Sequence, residues 1–145
     1  MWASTRCRRR PAGLRAFRER WLGRGYTEKF PGARGVRDSE TGVRVDFLIA
    51  GEFPGDGKPK PVRFPDPIQI APNATGLRIL DLRSLIEHKL ASGQSAPDRL
   101  QDLADVVALV RANRLPLDYA ASLDASVRDK YDELWQAAQG PQREL

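Results

Sequence analysis

Apolar and polar residues alternate in the segment TGVRVDFLIAG, residues 41–51. Between residues 43 and 49 its odd positions are apolar: Val43, Val45, Phe47 and Ile49. Asp46 lies on the opposite face, beside Leu48. A period of two predicts a strand with one face against a core. Because ionised Asp is rarely buried without a partner, the carboxylate of Asp46 is the first candidate for a functional group.

The segments around this strand predict a small sheet with a helix before it. Apolar residues at helical spacing predict a helix over 14–22, ended by Gly23 and Gly25. A short strand is predicted at YTEKF, and the turn-rich stretch DSETG joins two strands as a hairpin. Residues 52–67 carry five prolines and predict an ordered excursion or a mobile loop. Two further strands are predicted at IQIA and LRILDL.

From Leu82 onward the apolar spacing becomes helical. Three helices are predicted, over 82–92, 96–112 and 125–138. The fold class is therefore α+β, with a small mixed β-sheet, a flanking helix and a C-terminal group of three helices. The expected organisation is a disordered Arg-rich start (1–13), a single domain (14–139) with a sheet part (26–81) and a helical part (82–139), and a tail (140–145).

The first of these three helices carries a charged residue beside its apolar face. Lys89 follows Leu82 by seven residues and Leu85 by four, so its stem lies along that face. Two interpretations stay open: the ammonium reaches solvent from the edge of the face, or it meets an anion such as a phosphate. His88 lies on the more polar side, where a surface position without a role is expected.

The second helix has an acidic face next to its apolar one. Ser95 is predicted to cap it, and its core face is predicted to consist of Leu100, Leu103, Ala104, Val107 and Val110. Asp98, Asp102 and Asp105 share a neighbouring face, and Arg99 is placed to pair with Asp102. A solvated acidic face is the usual meaning of this pattern, but Asp105 lies among apolar residues in the middle of the helix.

Charge is distributed unevenly along the chain. Residues 1–25 contain eight Arg and one Glu, whereas the rest of the chain has a net charge of −2. An Arg-rich start is typical of a transit peptide or a nucleic-acid-binding arm, or it is simply disordered. The overall charge of +5 therefore comes from the first 25 residues, and the rest of the chain is slightly acidic.

Composition excludes several classes of protein. One Cys and one His exclude a disulfide framework and the usual zinc sites. The sequence contains no apolar run of about 18 residues, so no membrane-spanning helix is predicted. A cytoplasmic location is expected. The sequence contains no Walker-type phosphate loop, no HExxH and no GxSxG, so standard hydrolase chemistry is not predicted.

The strand with Asp46 and the run DLRSLIEHKLASGQSAPDRLQDLADVVALVRA together resemble the nucleotidyltransferase superfamily. The similarity is to small bacterial proteins related to AbiEii-type abortive-infection toxins, and it extends from about Leu14 to Trp135. The resemblance implies Mg²⁺-dependent transfer of NMP from an NTP to a hydroxyl acceptor on RNA, a protein or a small molecule. It assigns Asp46 to the catalytic metal site. It places Lys89, Arg99, Asp102 and Asp105 at the nucleotide.

The sequence departs from that family at its catalytic motif. The Gly-Ser turn and the D-x-D strand, which supply two of three metal carboxylates, have no counterpart in it. We interpret the chain as a shortened or degenerate member that is expected to be inactive. The alternatives are a non-catalytic interaction module of the toxin–antitoxin type, with an antitoxin as partner, or a nucleic-acid binder that uses its Arg-rich start.

Overall fold

The hairpin predicted through residues 38–42 is the centre of the observed sheet. The computed structural model describes residues 12–141. Within them, β2 (Gly35–Asp38) and β3 (Arg44–Asp46) pair antiparallel, and β1 (Tyr26–Thr27) pairs antiparallel with the other side of β2. The turn forms because Asp38 Oδ1 accepts hydrogen bonds from the backbone N–H groups of Glu40 and Thr41. The α+β class is confirmed, with an antiparallel rather than a mixed sheet.

Helix α1 (Ala12–Trp21) packs beside this sheet through aromatic side chains. The ring of Phe17 meets those of Tyr26 and Phe47 edge to face, at centroid distances of 5.4 and 5.0 Å. Arg18 is buried, where it donates to the carbonyl oxygen of Ala33 at 2.9 Å and pairs with Glu28. Because α1 begins at Ala12, the last two residues of the predicted disordered start are helical. Residues 1–11 lie outside the described chain.

The prediction of two further strands beyond the hairpin, at IQIA and LRILDL, is wrong. Residues Pro67–Gln69 form a short 3₁₀ helix, and the stretch after it has one isolated bridge, between Pro72 and Arg78. The guanidinium of Arg78 donates to the carbonyl oxygens of Ile68 and Ile70, groups that a strand partner would otherwise occupy. Ile68, Leu77 and Ile79 are exposed, so no core face supports a strand here.

The chain divides into two units, residues 1–49 and residues 50–145. The second unit contains the three predicted helices: α2 (Leu82–Ser95), α3 (Leu100–Asn113) and α4 (Ala125–Gln139), with a 3₁₀ helix at Leu117–Ser122. Their inner faces form one apolar core that includes Val62 and Leu123 from the connecting segments. Its most deeply buried helical members are Ile86, Leu90, Val106, Val110, Val127 and Tyr131.

Helix α2 is longer than predicted, and α3 starts later. Ser95 ends α2 instead of capping α3, because its hydroxyl donates to the carbonyl oxygen of Ala91 one turn earlier, at 2.7 Å. The core face of α3 is also rotated from the predicted one. Leu100 and Ala104 are exposed, whereas Val106 is fully buried. This rotation turns the acidic residues of α3 toward α2.

Polar atoms at the ends of aromatic side chains hold α4 against the segment that follows α3. The hydroxyl of Tyr131 donates to the carbonyl oxygen of Pro116 at 3.0 Å, and Trp135 Nε1 donates to that of Leu115 at 2.8 Å. Burial raises the pKa of Tyr131 to about 12. Among residues 12–141, no helix has the length and apolar composition needed to cross a bilayer.

Asp124 caps the N-terminus of α4, and its removal tests how much this helix depends on a local signal. Its carboxylate accepts hydrogen bonds from the backbone N–H and the hydroxyl of Ser126, which lower the pKa of Asp124. We expect Asp124→Ala to lower the free energy of unfolding by about 1 kcal/mol, the usual cost of a lost cap. Urea denaturation at neutral pH measures it. The exposed Asp129→Ala on the same helix is the control, and equal losses in the two variants would contradict the role of the cap.

Candidate functional site

Lys89 lies between two carboxylates of the neighbouring helix. Its Nζ is 2.6 Å from Asp105 Oδ2 and 3.2 Å from Asp102 Oδ1. Lys89 and Asp102 are mostly shielded from solvent, with side chains 23% and 20% exposed, while Asp105 is 37% exposed. The structure thus brings together three of the side chains that the sequence assigned to the nucleotide. We call this group, with Ser92 and Gln101, the Lys89 cluster.

Every carboxylate oxygen of the Lys89 cluster has a donor within the cluster. Asp102 Oδ2 accepts from the hydroxyl of Ser92 at 2.6 Å, and Asp105 Oδ1 accepts from the amide of Gln101 at 2.8 Å. The remaining two oxygens accept from Lys89. One ammonium and two carboxylates give the cluster a net charge of −1 at neutral pH, so it disfavours the approach of another anion.

The ionisation of the cluster follows from these contacts. Burial lowers the pKa of Lys89, but its hydrogen bonds to Asp105 and Asp102 outweigh that effect and raise the pKa above its ordinary value of 10.5. Hydrogen bonds from Lys89 and Gln101 lower the pKa of Asp105 below 3.8. The lysine is therefore held as an ammonium and cannot act as a base or nucleophile at neutral pH.

Arg99 does not join this cluster. It lies at the residue before α3, is exposed, and makes no capping hydrogen bond with its side chain. The predicted pairing of Arg99 with Asp102 is wrong, because Asp102 is turned toward Lys89 and Ser92 on α2. Its link to Arg99 is a backbone hydrogen bond, from Asp102 N to the Arg99 carbonyl oxygen at 3.0 Å.

Asp46 belongs to the other unit, and its surroundings differ from the expected ones. Its side chain is 51% exposed, and its Oδ1 accepts from Nε and Nη2 of Arg44 at 3.0 and 2.9 Å. The strand itself is exposed at all three of its residues. The expectation of a buried carboxylate in mid-strand is therefore wrong. Asp46 lies at the last residue of β3, and Arg44 on the same strand face neutralises it.

Gly35 makes room for the carboxylate of Asp46. The two residues are opposite each other in the β2–β3 register. A Cβ atom at Gly35 would lie 2.3 Å from Asp46 Oδ1, which is far inside van der Waals contact. The absence of a side chain at Gly35 thus lets Asp46 lie across the neighbouring strand.

These residues do not fit the Mg²⁺ site that the resemblance implies. Two-metal catalysis needs several carboxylates around one space, whereas the accepting oxygen of Asp46 already faces a guanidinium. Within the described residues, no group of three or more His, Cys, Asp or Glu side chains is arranged to hold a metal ion. No catalytic step through Mg²⁺ can be built on this geometry.

Sequence reasoning missed His88, which it expected at the surface. The imidazole is 9% exposed and stacks on Phe64 at a centroid distance of 5.2 Å. Its Nε2 lies 2.8 Å from the carbonyl oxygen of Arg63, and its Nδ1 lies 2.5 Å from that of Ser84. His88 therefore holds the Pro-rich segment against α2. Phe64, an aromatic residue within the Pro-rich segment, is a signal for this contact in the sequence.

The Pro-rich segment is an ordered loop that closes on itself. Gly51 N donates to the Phe64 carbonyl oxygen at 2.8 Å, and Phe64 N donates to that of Glu52 at 2.9 Å. The loop reaches α2 a second time at Gly55, where a Cβ atom would lie 2.2 Å from Ser95 Oγ. Of the two interpretations that the sequence left open, these contacts favour the ordered excursion over the mobile loop.

A scan against protein-family models and searches of characterised proteins and of solved structures found no match to this chain. The resemblance to nucleotidyltransferases and the site residues that it assigns therefore stay predictions. What the contacts establish is that Lys89, Asp102 and Asp105 connect α2 to α3.

Replacing Lys89 tests whether the cluster stabilises the fold. Lys89→Met keeps the stem but leaves the shielded Asp102 and the partly exposed Asp105 without their cation. We expect the free energy of unfolding to fall by about 2 kcal/mol, between the values for exposed and for buried ion pairs. Urea denaturation measures the loss. The control is Lys130→Met, which removes a pair with the largely exposed Glu133. In an Asp102→Asn/Asp105→Asn background the loss should shrink, and an undiminished loss would contradict the coupling.

The lowered pKa of Asp105 predicts a contribution to stability that depends on pH. The folded protein holds this carboxyl ionised below its ordinary pKa, so the unfolded chain binds the proton more readily. The contribution is complete above the ordinary value and is lost as the pH falls through 3.8 and below. We expect Asp105→Asn to lose less stability than the wild type over this acid range, as measured by urea denaturation at a series of pH values. Parallel pH profiles would contradict the assignment.

Proposed function

We propose that this chain is a nucleotidyltransferase-like domain that does not transfer nucleotides by itself. The parent activity of the resembled family is Mg²⁺-dependent transfer of NMP from an NTP to RNA, a protein or another hydroxyl acceptor. A cytoplasmic location is part of the proposal, because one Cys in the whole sequence leaves no disulfide framework. An antitoxin is the partner that the AbiEii-like resemblance suggests.

The observation that carries this proposal is that the ammonium of Lys89 is already paired with two carboxylates of the same chain. In the resembled family this lysine meets the triphosphate. Here its ammonium donates to two carboxylates, and all four carboxylate oxygens have donors of their own. An incoming triphosphate would have to displace Asp102 and Asp105 from Lys89. It would also have to do so against the net negative charge of the cluster.

The pairing of Asp46 supports the same proposal. A carboxylate that binds Mg²⁺ presents its oxygens to the metal, whereas Oδ1 of Asp46 accepts two hydrogen bonds from Arg44. Because this pair is largely exposed, it is weak, and a strong metal site nearby would break it.

Incubation of the full chain with labelled NTPs tests the proposal. Mg²⁺ or Mn²⁺ is added, together with tRNA or a mixture of protein acceptors, and an active nucleotidyltransferase runs in parallel as a positive control. We expect incorporation no higher than that of the Asp46→Asn variant. Incorporation by the wild type that is lost in Asp46→Asn would overturn the proposal.

A further inference from the structure

Strand β3 forms one edge of the sheet in the first unit. The strand order is β1-β2-β3, so β2 pairs with one side of β3, and no strand of the described residues pairs with its other side. Toward β2, the carbonyl oxygen of Val43 accepts from Asp38 N, and Phe47 N donates to the carbonyl oxygen of Arg34. Backbone direction alternates along a strand, so the N–H and C=O groups of Arg44 and Asp46 point outward.

The side chains along this edge leave apolar surface exposed. Val43 is 58% exposed, Val45 is 37% exposed, and Leu48, just past the strand, is 68% exposed. Natural proteins usually protect an exposed edge, because its outward N–H and C=O groups accept another strand readily. This edge combines outward backbone groups with apolar side chains, which is the surface that strand addition uses.

We propose that a second copy of this chain pairs with this edge, β3 against β3 in antiparallel orientation. With Val45 opposite Val45 of the second copy, Arg44 is opposite Asp46 of that copy, and Asp46 is opposite its Arg44. The two outward-facing residues thus meet each other and exchange backbone hydrogen bonds, as the antiparallel ladder requires. The strand is complementary to itself in both charge and hydrogen-bonding direction.

The internal pair between Arg44 and Asp46 does not prevent this arrangement. The two side chains are 71% and 51% exposed and lie on the same face of β3. An ion pair this exposed contributes little, so both groups can turn to opposite charges on the second copy. Because β3 has three residues, the interface is small. We expect a weak, reversible dimer that is populated at about 100 µM and dissociated at about 1 µM.

Charge reversal at the two residues tests the pairing on the full chain. Arg44→Asp places like charges opposite each other, and so does Asp46→Arg, so each variant alone should remain monomeric. A mixture of the two variants restores opposite charges and should form a heterodimer. The double variant Arg44→Asp/Asp46→Arg should dimerise as the wild type does. Sedimentation velocity at protein concentrations from about 1 to about 100 µM measures the oligomeric state of each variant and of the mixture.

The matched control is Arg24→Asp, which makes the same charge change at an exposed residue before β1. It should dimerise as the wild type does. Circular dichroism checks that each variant is folded, and the milder pair Arg44→Glu and Asp46→Lys replaces any variant that is not. A wild type that stays monomeric at the highest concentration would overturn the proposal. So would single variants that dimerise as well as the wild type, or a mixture that forms no heterodimer.

Discussion

The ion cluster at Lys89 is the contact on which the arrangement of the helical unit depends. It places one cation of α2 against two carboxylates of α3, and each oxygen of those carboxylates has its own donor. A partly shielded charge is costly unless it is paired, so the pairing of these groups favours this rotation and register of the two helices. The buried position of Val106, next to Asp105, follows from the same rotation.

The cluster also limits what the site can do. A lysine that is available to a phosphate needs a free ammonium and a positive or neutral surrounding, and Lys89 has neither. Asp46 is in a comparable situation, because Arg44 supplies the positive charge that a metal would otherwise provide. In both places a residue type associated with catalysis is used in an internal ion pair. The chemistry of a residue therefore depends on its partners as much as on its identity.

A second set of contacts gives order to a segment whose composition disfavours regular structure. Five prolines prevent residues 52–67 from forming a helix or a central strand. The loop is nevertheless held by its own closing hydrogen bonds and by the buried imidazole of His88. Val62 from this loop enters the apolar core of the helical unit. The loop is thus a structural part of that unit.

The sequence by itself determined the features that depend on neighbours along the chain. The helical spacing of apolar residues located α2, α3 and α4 to within a few residues, and the turn at Asp38 located the hairpin. It also brought Lys89 and Asp105 forward as charged residues beside apolar ones. The strands expected beyond residue 67 failed, because short alternating runs form strands only where a core face and a pairing partner exist.

Only the tertiary structure decided where the charges go. Lys89 pairs with Asp102, 13 residues away in the sequence, and His88 contacts the backbone of Arg63, 25 residues away. At these separations no local sequence pattern predicts a contact. The rotation of α3 and the burial of His88 therefore emerged from the packing of whole elements. For Asp46 the prediction of burial was wrong, because its alternating segment forms a strand at the edge of the sheet. An alternating pattern shows which residues share a face of a strand, but whether that face is buried depends on which other elements pack against it.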